Sequence, residues 1–109
     1  MATRNLDIIP LYEWGMFTEP RPSVVAGPCS AETEEQVMET AKGLREMGIN
    51  VYRAGIWKPR THPGSFEGVG SEGLRWMQRA KKEYGLKIAT EVASEKHAFQ
   101  CLKFGVDLV

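Results

Sequence analysis

The chain has little of three features that would assign a protein to a class directly: cysteine, an excess of one charge, and long apolar runs. Its 109 residues include two cysteines, Cys29 and Cys101, with no CxxC pair and no cluster of cysteine and histidine. Nothing in this spacing indicates a disulfide framework or a structural zinc module, so we expect a reducing cytoplasm.

The charges balance, with 14 basic and 14 acidic residues. A general nucleic-acid binder usually carries a strong basic excess, so we expect no nucleic-acid partner. The apolar residues of the segment 1–22 are interrupted by Asp7, Pro10 and Glu13. The sequence therefore predicts neither a signal peptide nor a membrane-spanning segment.

Residues 23–109 alternate short apolar runs with amphipathic segments, which predicts four strands and three helices. The predicted strands are 23–27, 49–54, 86–91 and 106–109. The predicted helices begin at Thr33, Ser71 and Ser94, the first runs to Met47 with Gly48 after it, and Gly85 and Gly105 end the other two. In the third helix we expect Ala98, Cys101 and Leu102 to form the buried stripe. Strands that alternate with helices indicate a parallel sheet, and both a β/α barrel and a doubly wound sheet fit the pattern.

The repeating pattern is short for either fold. A β/α barrel needs about 250 residues, so three and a half units are less than half of one. We expect the chain to be the N-terminal part of a larger catalytic domain, with residues 1–22 as an extension before it. We also expect the 109-residue chain, taken alone, to self-associate through its open strand edge.

Unusual residues follow each of the first three predicted strands. The first runs into Gly27-Pro28-Cys29-Ser30, the second reaches Arg53 and then Lys58-Pro59-Arg60-Thr61, and the third ends at Thr90-Glu91. In a β/α barrel the active site lies at the carboxyl ends of the strands. The topology would therefore bring these distant residues to one mouth.

Each position also has a structural interpretation. The cationic segment 53–61 suits a ligand with phosphate and carboxylate groups, or it is a solvated basic loop. Cys29 is a metal ligand, a nucleophile that needs a nearby base, or a small buried residue. Glu91 is either a functional carboxylate or the ion-pair partner that an inward-facing Arg53 requires. His97 lies in a charged helical turn, and we expect it to be solvated.

Two motifs together resemble those of 3-deoxy-7-phosphoheptulonate (DAHP) synthases. They are Ala26-Gly27-Pro28-Cys29-Ser30 and Arg53 followed by Lys58-Pro59-Arg60-Thr61. The segment 63–70 and Thr90-Glu91 resemble the shorter bacterial branch, similar to members that are fused to a chorismate mutase. The sister 3-deoxy-8-phosphooctulonate synthases carry Lys-Ala-Asn-Arg-Ser in place of Lys-Pro-Arg-Thr.

The resemblance implies a (β/α)8 TIM barrel that condenses phosphoenolpyruvate with erythrose 4-phosphate. It implies a divalent metal of the Mn, Fe, Co or Zn type, no organic cofactor, and a homo-oligomer. Cys29 matches a metal ligand, and Arg53 and Lys58 match residues that hold phosphoenolpyruvate.

By the same resemblance, Arg60 and Thr61 match the clamp on the phosphate of erythrose 4-phosphate, with Pro59 between the two cations. Lys58 and Glu91 match residues beside the reacting carbon. Two alternatives remain at this point. One is the sister 3-deoxy-8-phosphooctulonate synthase activity, and the other is a non-catalytic anion-binding or assembly module.

Overall fold

The computed structural model describes residues 9–10, 13–16, 23–57 and 68–109. Within these ranges, three strands and three helices alternate. They are β1 (Val25–Ala26), α1 (Glu34–Glu46), β2 (Val51–Arg53), α2 (Ser71–Tyr84), β3 (Lys87–Ala89) and α3 (Glu95–Lys103). The predicted order of elements is confirmed. The predicted substrate-binding residues Lys58, Pro59, Arg60 and Thr61 lie outside the described residues.

The three strands form a parallel sheet in the order β1-β2-β3. Each strand is shorter than predicted, and the predicted strand 106–109 is reduced to one parallel bridge between Leu108 and Ala89. Among the described residues, β1 pairs only with β2, through Val25 and Ala26, and the Val25 side chain is exposed. Beside β3, the Leu108 N–H donates to the Ile88 carbonyl and the Thr90 N–H to the Leu108 carbonyl, both at 3.1 Å.

The first helix starts and stops where its sequence signals lie. The Thr33 hydroxyl accepts a hydrogen bond from the Gln36 N–H at 3.0 Å, and the Gln36 side-chain oxygen accepts from the Glu32 N–H at 2.7 Å. These contacts satisfy backbone donors that a helix start leaves open. Gly48, with φ 78°, follows the helix as predicted.

The second helix begins differently from the prediction that Ser71 caps it. Gly70 is the N-cap, with φ 74°, and no side chain caps the helix. The Gly70 N–H donates to the Ile56 carbonyl at 2.8 Å, so the chain turns into α2 while bonded to the end of β2. That turn requires a positive φ, which glycine tolerates and serine does not. Gly85, with φ 68°, ends the helix as predicted.

The main core lies between one face of the sheet and the helices. Tyr52 and Ile88 are fully buried in the same cluster as Val37, Leu74 and Met77 from α1 and α2. The Tyr52 hydroxyl donates to the Val37 carbonyl at 3.1 Å, and burial raises the pKa of Tyr52 to about 12, although a hydrogen bond with Thr40 opposes the shift.

Alternation along β2 places Val51 and Arg53 on the opposite face of the sheet from Tyr52. A doubly wound sheet carries helices on both of its faces. In the described residues, α1 and α2 pack together on the same face. Together with the sequential strand order, this arrangement fits a β/α barrel, and it equally fits one half of a doubly wound sheet.

The third helix is capped by Ser94, whose hydroxyl accepts from the His97 N–H at 3.2 Å. Cys101 is buried as predicted, and burial raises the pKa of its thiol. The expectation that Leu102 is buried is wrong, because its side chain is 77% exposed. Adjacent helical residues differ by about 100° around the axis, so a stripe centred on Cys101 turns Leu102 away. Within the described residues, no helix is both long enough and apolar enough to cross a membrane.

Candidate functional site

Arg53 connects the carboxyl ends of all three strands. Its Nη1 donates to the Pro28 carbonyl at 2.9 Å, and its Nη2 donates to Glu91 Oε1 at 2.6 Å. Pro28 follows β1, Arg53 is the last residue of β2, and Glu91 follows β3. The predicted convergence of these three strand ends is therefore confirmed for the described residues.

A glycine allows β1 to approach β2 at this point. Gly27 has φ 150°, and a Cβ on it would overlap the Arg53 carbonyl oxygen and lie 2.8 Å from the Tyr52 ring. No other residue fits this position without moving the backbone. The glycine thus lets Pro28 come within hydrogen-bond distance of the Arg53 guanidinium.

The turn that carries Cys29 is fixed to the chain beyond β2. The Gly55 N–H donates to the Cys29 carbonyl at 3.2 Å, and the Ala31 N–H donates to the Gly55 carbonyl at 2.9 Å. Among the described residues the Cys29 side chain is exposed, in contrast to the interpretation of this residue as a small buried one. The Ser30 hydroxyl is buried, with no hydrogen-bond partner among the described residues.

Thr90 fixes the end of β3 in a similar way. Its side chain is buried, and its hydroxyl donates to the Ala54 carbonyl at 2.8 Å, while the Ala54 N–H donates to the Ala89 carbonyl at 3.2 Å. Glu91, the next residue, is thereby held opposite Arg53.

The sequence left open whether Glu91 is the ion-pair partner of Arg53. The structure shows that the two side chains form an ion pair. Their side chains are 28% and 52% exposed, respectively. Ion pairs with this much solvent exposure contribute little to stability. A guanidinium has five N–H donors, so its contacts to Pro28 and Glu91 do not by themselves exhaust it. The pair can therefore orient Arg53 toward an anionic ligand.

The prediction that His97 is solvated is wrong. Its imidazole stacks on the Trp57 indole, with 3.9 Å between the ring centroids and 4° between the planes. Trp57 directly precedes Lys58, and His97 lies in the first turn of α3. Sequence reasoning missed the contact because 40 residues separate the two rings. The available signal was that both rings follow neighbouring strands.

The exposed thiol of Cys29 is a soft ligand that suits a borderline divalent ion. However, the described residues contain no group of three or more histidine, cysteine, aspartate or glutamate side chains that lie close enough together to hold a metal ion. They therefore offer Cys29 as one ligand and do not complete a coordination sphere.

These features define a β/α domain with a polar, cation-bearing site at the carboxyl ends of its strands. The model of the DAHP synthetase I family matches residues 17–105. The chain therefore belongs to the DAHP synthetase I family.

Individual relatives agree with this assignment. Phospho-2-dehydro-3-deoxyheptonate aldolase from Thermotoga maritima is 47% identical over 81 residues, covering 74% of this chain and 22% of the relative. A 2-dehydro-3-deoxyphosphooctonate aldolase from Vesicomyosocius okutanii is 41% identical over 76 residues, covering 63% of this chain and 27% of the relative.

A solved structure resembles the fold. The crystal structure of the Thermotoga maritima phospho-2-dehydro-3-deoxyheptonate aldolase (DAHP synthase) superimposes with a TM-score of 0.69 at 42% identity. The match covers 73% of this chain and 23% of that one. The chain thus spans about a quarter of the length of these relatives.

Proposed function

We propose that the protein containing this chain is a DAHP synthase. It condenses phosphoenolpyruvate with erythrose 4-phosphate to give 3-deoxy-D-arabino-heptulosonate 7-phosphate and phosphate, the first step of the shikimate pathway to aromatic amino acids. The observation that carries the proposal is the position of Arg53, a partly exposed cation held where three strand ends of a DAHP synthetase I family member meet.

The chemistry explains why fixed cations are needed. The enol carbon of phosphoenolpyruvate attacks the aldehyde carbon of the sugar phosphate, and a C–C bond forms. Water then adds to the central carbon of the former enol, and phosphate leaves as that intermediate collapses. Both substrates are anions that repel each other, so preorganised positive charge both holds them in contact and stabilises the transition state.

In this proposal Arg53 and Lys58 hold phosphoenolpyruvate, with the planar fork of Arg53 suited to an oxyanion. Glu91 orients the guanidinium of Arg53 and lies near the reacting carbon, beside Lys58. Arg60 and Thr61 bind the phosphate of erythrose 4-phosphate, and Pro59 restricts the backbone between the two cations.

A divalent metal with Cys29 as one ligand would polarise the aldehyde carbonyl as a Lewis acid. The role of Cys29 itself is to present a thiolate at the end of β1. The Gly55 N–H, which donates to the Cys29 carbonyl, holds that turn in place.

We further propose that residues 23–109 form about the first three and a half units of a (β/α)8 TIM barrel, with residues 1–22 as an N-terminal extension. The sequential parallel strands and the helices on one face support this proposal. We propose a cytoplasmic homo-oligomer for the whole protein.

The sister activity on arabinose 5-phosphate is the competing assignment, because relatives named 2-dehydro-3-deoxyphosphooctonate aldolase also match. The motif Lys58-Pro59-Arg60-Thr61 and the 47% identity to the heptonate aldolase favour erythrose 4-phosphate.

The test is an assay of the intact protein with phosphoenolpyruvate and either aldose phosphate, which follows phosphate release and the 3-deoxy sugar acid. We expect kcat/KM for erythrose 4-phosphate to exceed that for arabinose 5-phosphate by at least about 10-fold. A Lys58→Met variant is the control for contaminating activity and should be inactive. Preference for arabinose 5-phosphate, or no turnover of either sugar, would overturn the proposal.

A further inference from the structure

The connection between β3 and α3 carries Glu91, and burial does not hold it in place. Its residues after Thr90, here called the Glu91 turn (residues 91–94), are all exposed. Exposed segments with few packing contacts open most easily. Glu91 nevertheless keeps its Oε1 2.6 Å from Nη2 of Arg53. The ion pair therefore depends on how the two ends of this turn are attached.

At its amino end the Glu91 turn is attached through Thr90. The Thr90 side chain is buried, its hydroxyl donates to the Ala54 carbonyl at 2.8 Å, and its N–H donates to the Leu108 carbonyl at 3.1 Å. These bonds fix the backbone up to the residue before Glu91. They do not fix the direction in which the exposed residues continue, because each further residue adds two soft backbone dihedrals.

At its carboxyl end the turn is attached through His97, the first half-buried residue after it. The imidazole stacks on the Trp57 indole, with 3.9 Å between the ring centroids and 4° between the planes. Stacked rings favour one relative orientation, which distinguishes this contact from ordinary apolar packing. His97 is thus held against a part of the chain that lies outside its own helix.

His97 is also bonded to the Glu91 turn itself. Its Nδ1 accepts from the Ala93 N–H, and its N–H donates to the Ser94 hydroxyl, both at 3.2 Å. Ala93 is only two residues from Glu91. The imidazole therefore connects the Glu91 turn with Trp57 through contacts that have a defined direction.

Trp57 lies on the same segment as the other member of the ion pair, four residues after Arg53. The chain between them is bonded on both sides. The Ala54 N–H donates to the Ala89 carbonyl, and the Gly55 N–H donates to the Cys29 carbonyl, both at 3.2 Å. The ion pair and the ring stack thus join the same two segments at two separate points.

We propose that His97 is a positioning residue for the Arg53–Glu91 ion pair. By stacking on Trp57 while it is bonded to Ala93, it holds the Glu91 turn against the segment that carries Arg53. The Glu91 carboxylate is thereby kept where it orients the guanidinium. The inference rests on the proposed function, because Arg53 is a ligand of phosphoenolpyruvate only under that assignment. His97 touches no substrate in this role, and its effect reaches the ligand through Glu91 and Arg53.

The first test is calorimetric titration of phosphoenolpyruvate into the intact protein and its variants. His97→Ala removes the ring, His97→Asn keeps only an acceptor for the Ala93 N–H, and His97→Phe keeps only an aromatic ring. Phe99→Ala removes an exposed ring from the same helix and is the control. We expect His97→Ala and His97→Asn to raise the Kd about 3- to 10-fold, the range an aromatic pair supports. His97→Phe and Phe99→Ala should stay within about twofold of the parent.

A double-mutant cycle with Glu91→Gln separates positioning from a general loss of structure. If His97 acts through Glu91, His97→Ala should raise the Kd by less than about twofold once Glu91 is already replaced. The full effect of His97→Ala in that background would overturn the positioning role. So would an unchanged Kd in His97→Ala alone, or a His97→Phe variant as impaired as His97→Ala.

A second readout needs no ligand. Crystal structures of the intact parent and of His97→Ala report the distance between Arg53 Nη2 and Glu91 Oε1. We expect the pair to be kept in the parent and to separate beyond about 4 Å in the variant. A pair that stays together in His97→Ala would contradict the inference. If the parent does not bind phosphoenolpyruvate, the proposed function fails, and these distances alone decide whether the stack positions the pair.

Discussion

Each end of the parallel sheet carries an ion pair, and the two pairs differ in what surrounds them. At the carboxyl ends of the strands, Arg53 and Glu91 lie 2.6 Å apart, with side chains 28% and 52% exposed. At the opposite end, Lys81 Nζ and Asp107 Oδ1 lie 3.0 Å apart, with side chains 33% and 18% exposed. The carboxylate at the amino end is therefore much better shielded from solvent.

The second pair also satisfies backbone groups of several elements. Asp107 Oδ2 accepts the Ile88 N–H at 2.9 Å, and Lys81 Nζ donates to the Gly105 carbonyl at 2.8 Å. This network joins α2, β3 and the chain after α3. In β/α barrels the amino end of the sheet serves stability and the carboxyl end serves function. The two pairs fit the same division of roles here, and substitutions at either end of the sheet test it.

The largest expected effect is the loss of activity in Arg53→Met. Removing a preorganised cation from the site should lower kcat/KM by about a thousandfold. The free energy of unfolding should change by less than about 1 kcal/mol, because an exposed ion pair contributes little. Steady-state kinetics and denaturant unfolding of the intact protein measure both quantities.

Arg79→Met is the matched control for that variant. Arg79 also forms ion pairs, with Glu34 and Glu83, but it lies on the outer surface of α2. Its replacement should leave kcat/KM unchanged. If both variants lose activity equally, charge at the strand ends has no special role.

The second expected effect is a loss of stability in Asp107→Ala. The substitution leaves the Ile88 N–H without its acceptor and Lys81 without its partner, which should cost about 3 kcal/mol in the free energy of unfolding. Asp107→Asn keeps a carbonyl oxygen for Ile88 and should lose clearly less. The kcat of the folded fraction should stay within about twofold of the parent, and a large fall in kcat without loss of stability would reverse the assignment of the two ends.

The smallest expected effect concerns Tyr52, in the core between the two ends. Its pKa of about 12 in the fold exceeds the ordinary value of 10.0, so the folded state retains a proton that the unfolded state loses. The resulting stability is fully present below pH 10 and disappears as the pH rises through about 12. The contribution is at most about 2.7 kcal/mol.

Tyr52→Phe removes this ionisation. The variant should be about 1 kcal/mol less stable near pH 7, because the hydrogen bond to Val37 is lost. Between pH 10 and pH 12 its stability should fall less than that of the parent protein. Parallel curves for the two proteins over that interval would show that Tyr52 does not titrate in the unfolding reaction.

Features that depend on neighbours in sequence were predictable. The Thr33 cap and the glycine at position 85 follow from local backbone chemistry, and the structure confirms both. The meeting of Arg53 with Glu91 was predictable in outline, because parallel strands place their carboxyl ends together. Whether the two side chains pair depended on distances that the pattern does not contain.

Features that depend on distant neighbours were not predictable from the pattern. The start of α2 is set by a bond between Gly70 and Ile56, so the serine at position 71 was a misleading signal. The stack of His97 on Trp57 and the Lys81–Asp107 network join residues far apart in the chain. His97 lies in a charged helical turn, which suggested solvent rather than a contact.

The most direct test of the account is calorimetric titration of phosphoenolpyruvate into the intact protein and its Arg53→Met and Asp107→Asn variants. The parent and Asp107→Asn should bind with similar affinity, and Arg53→Met should bind at least about 100-fold more weakly, the loss expected when a charged hydrogen-bonding group is removed from a bound anion. Equal affinity in the parent and Arg53→Met would contradict the claim that the strand ends joined by Arg53 form the substrate site.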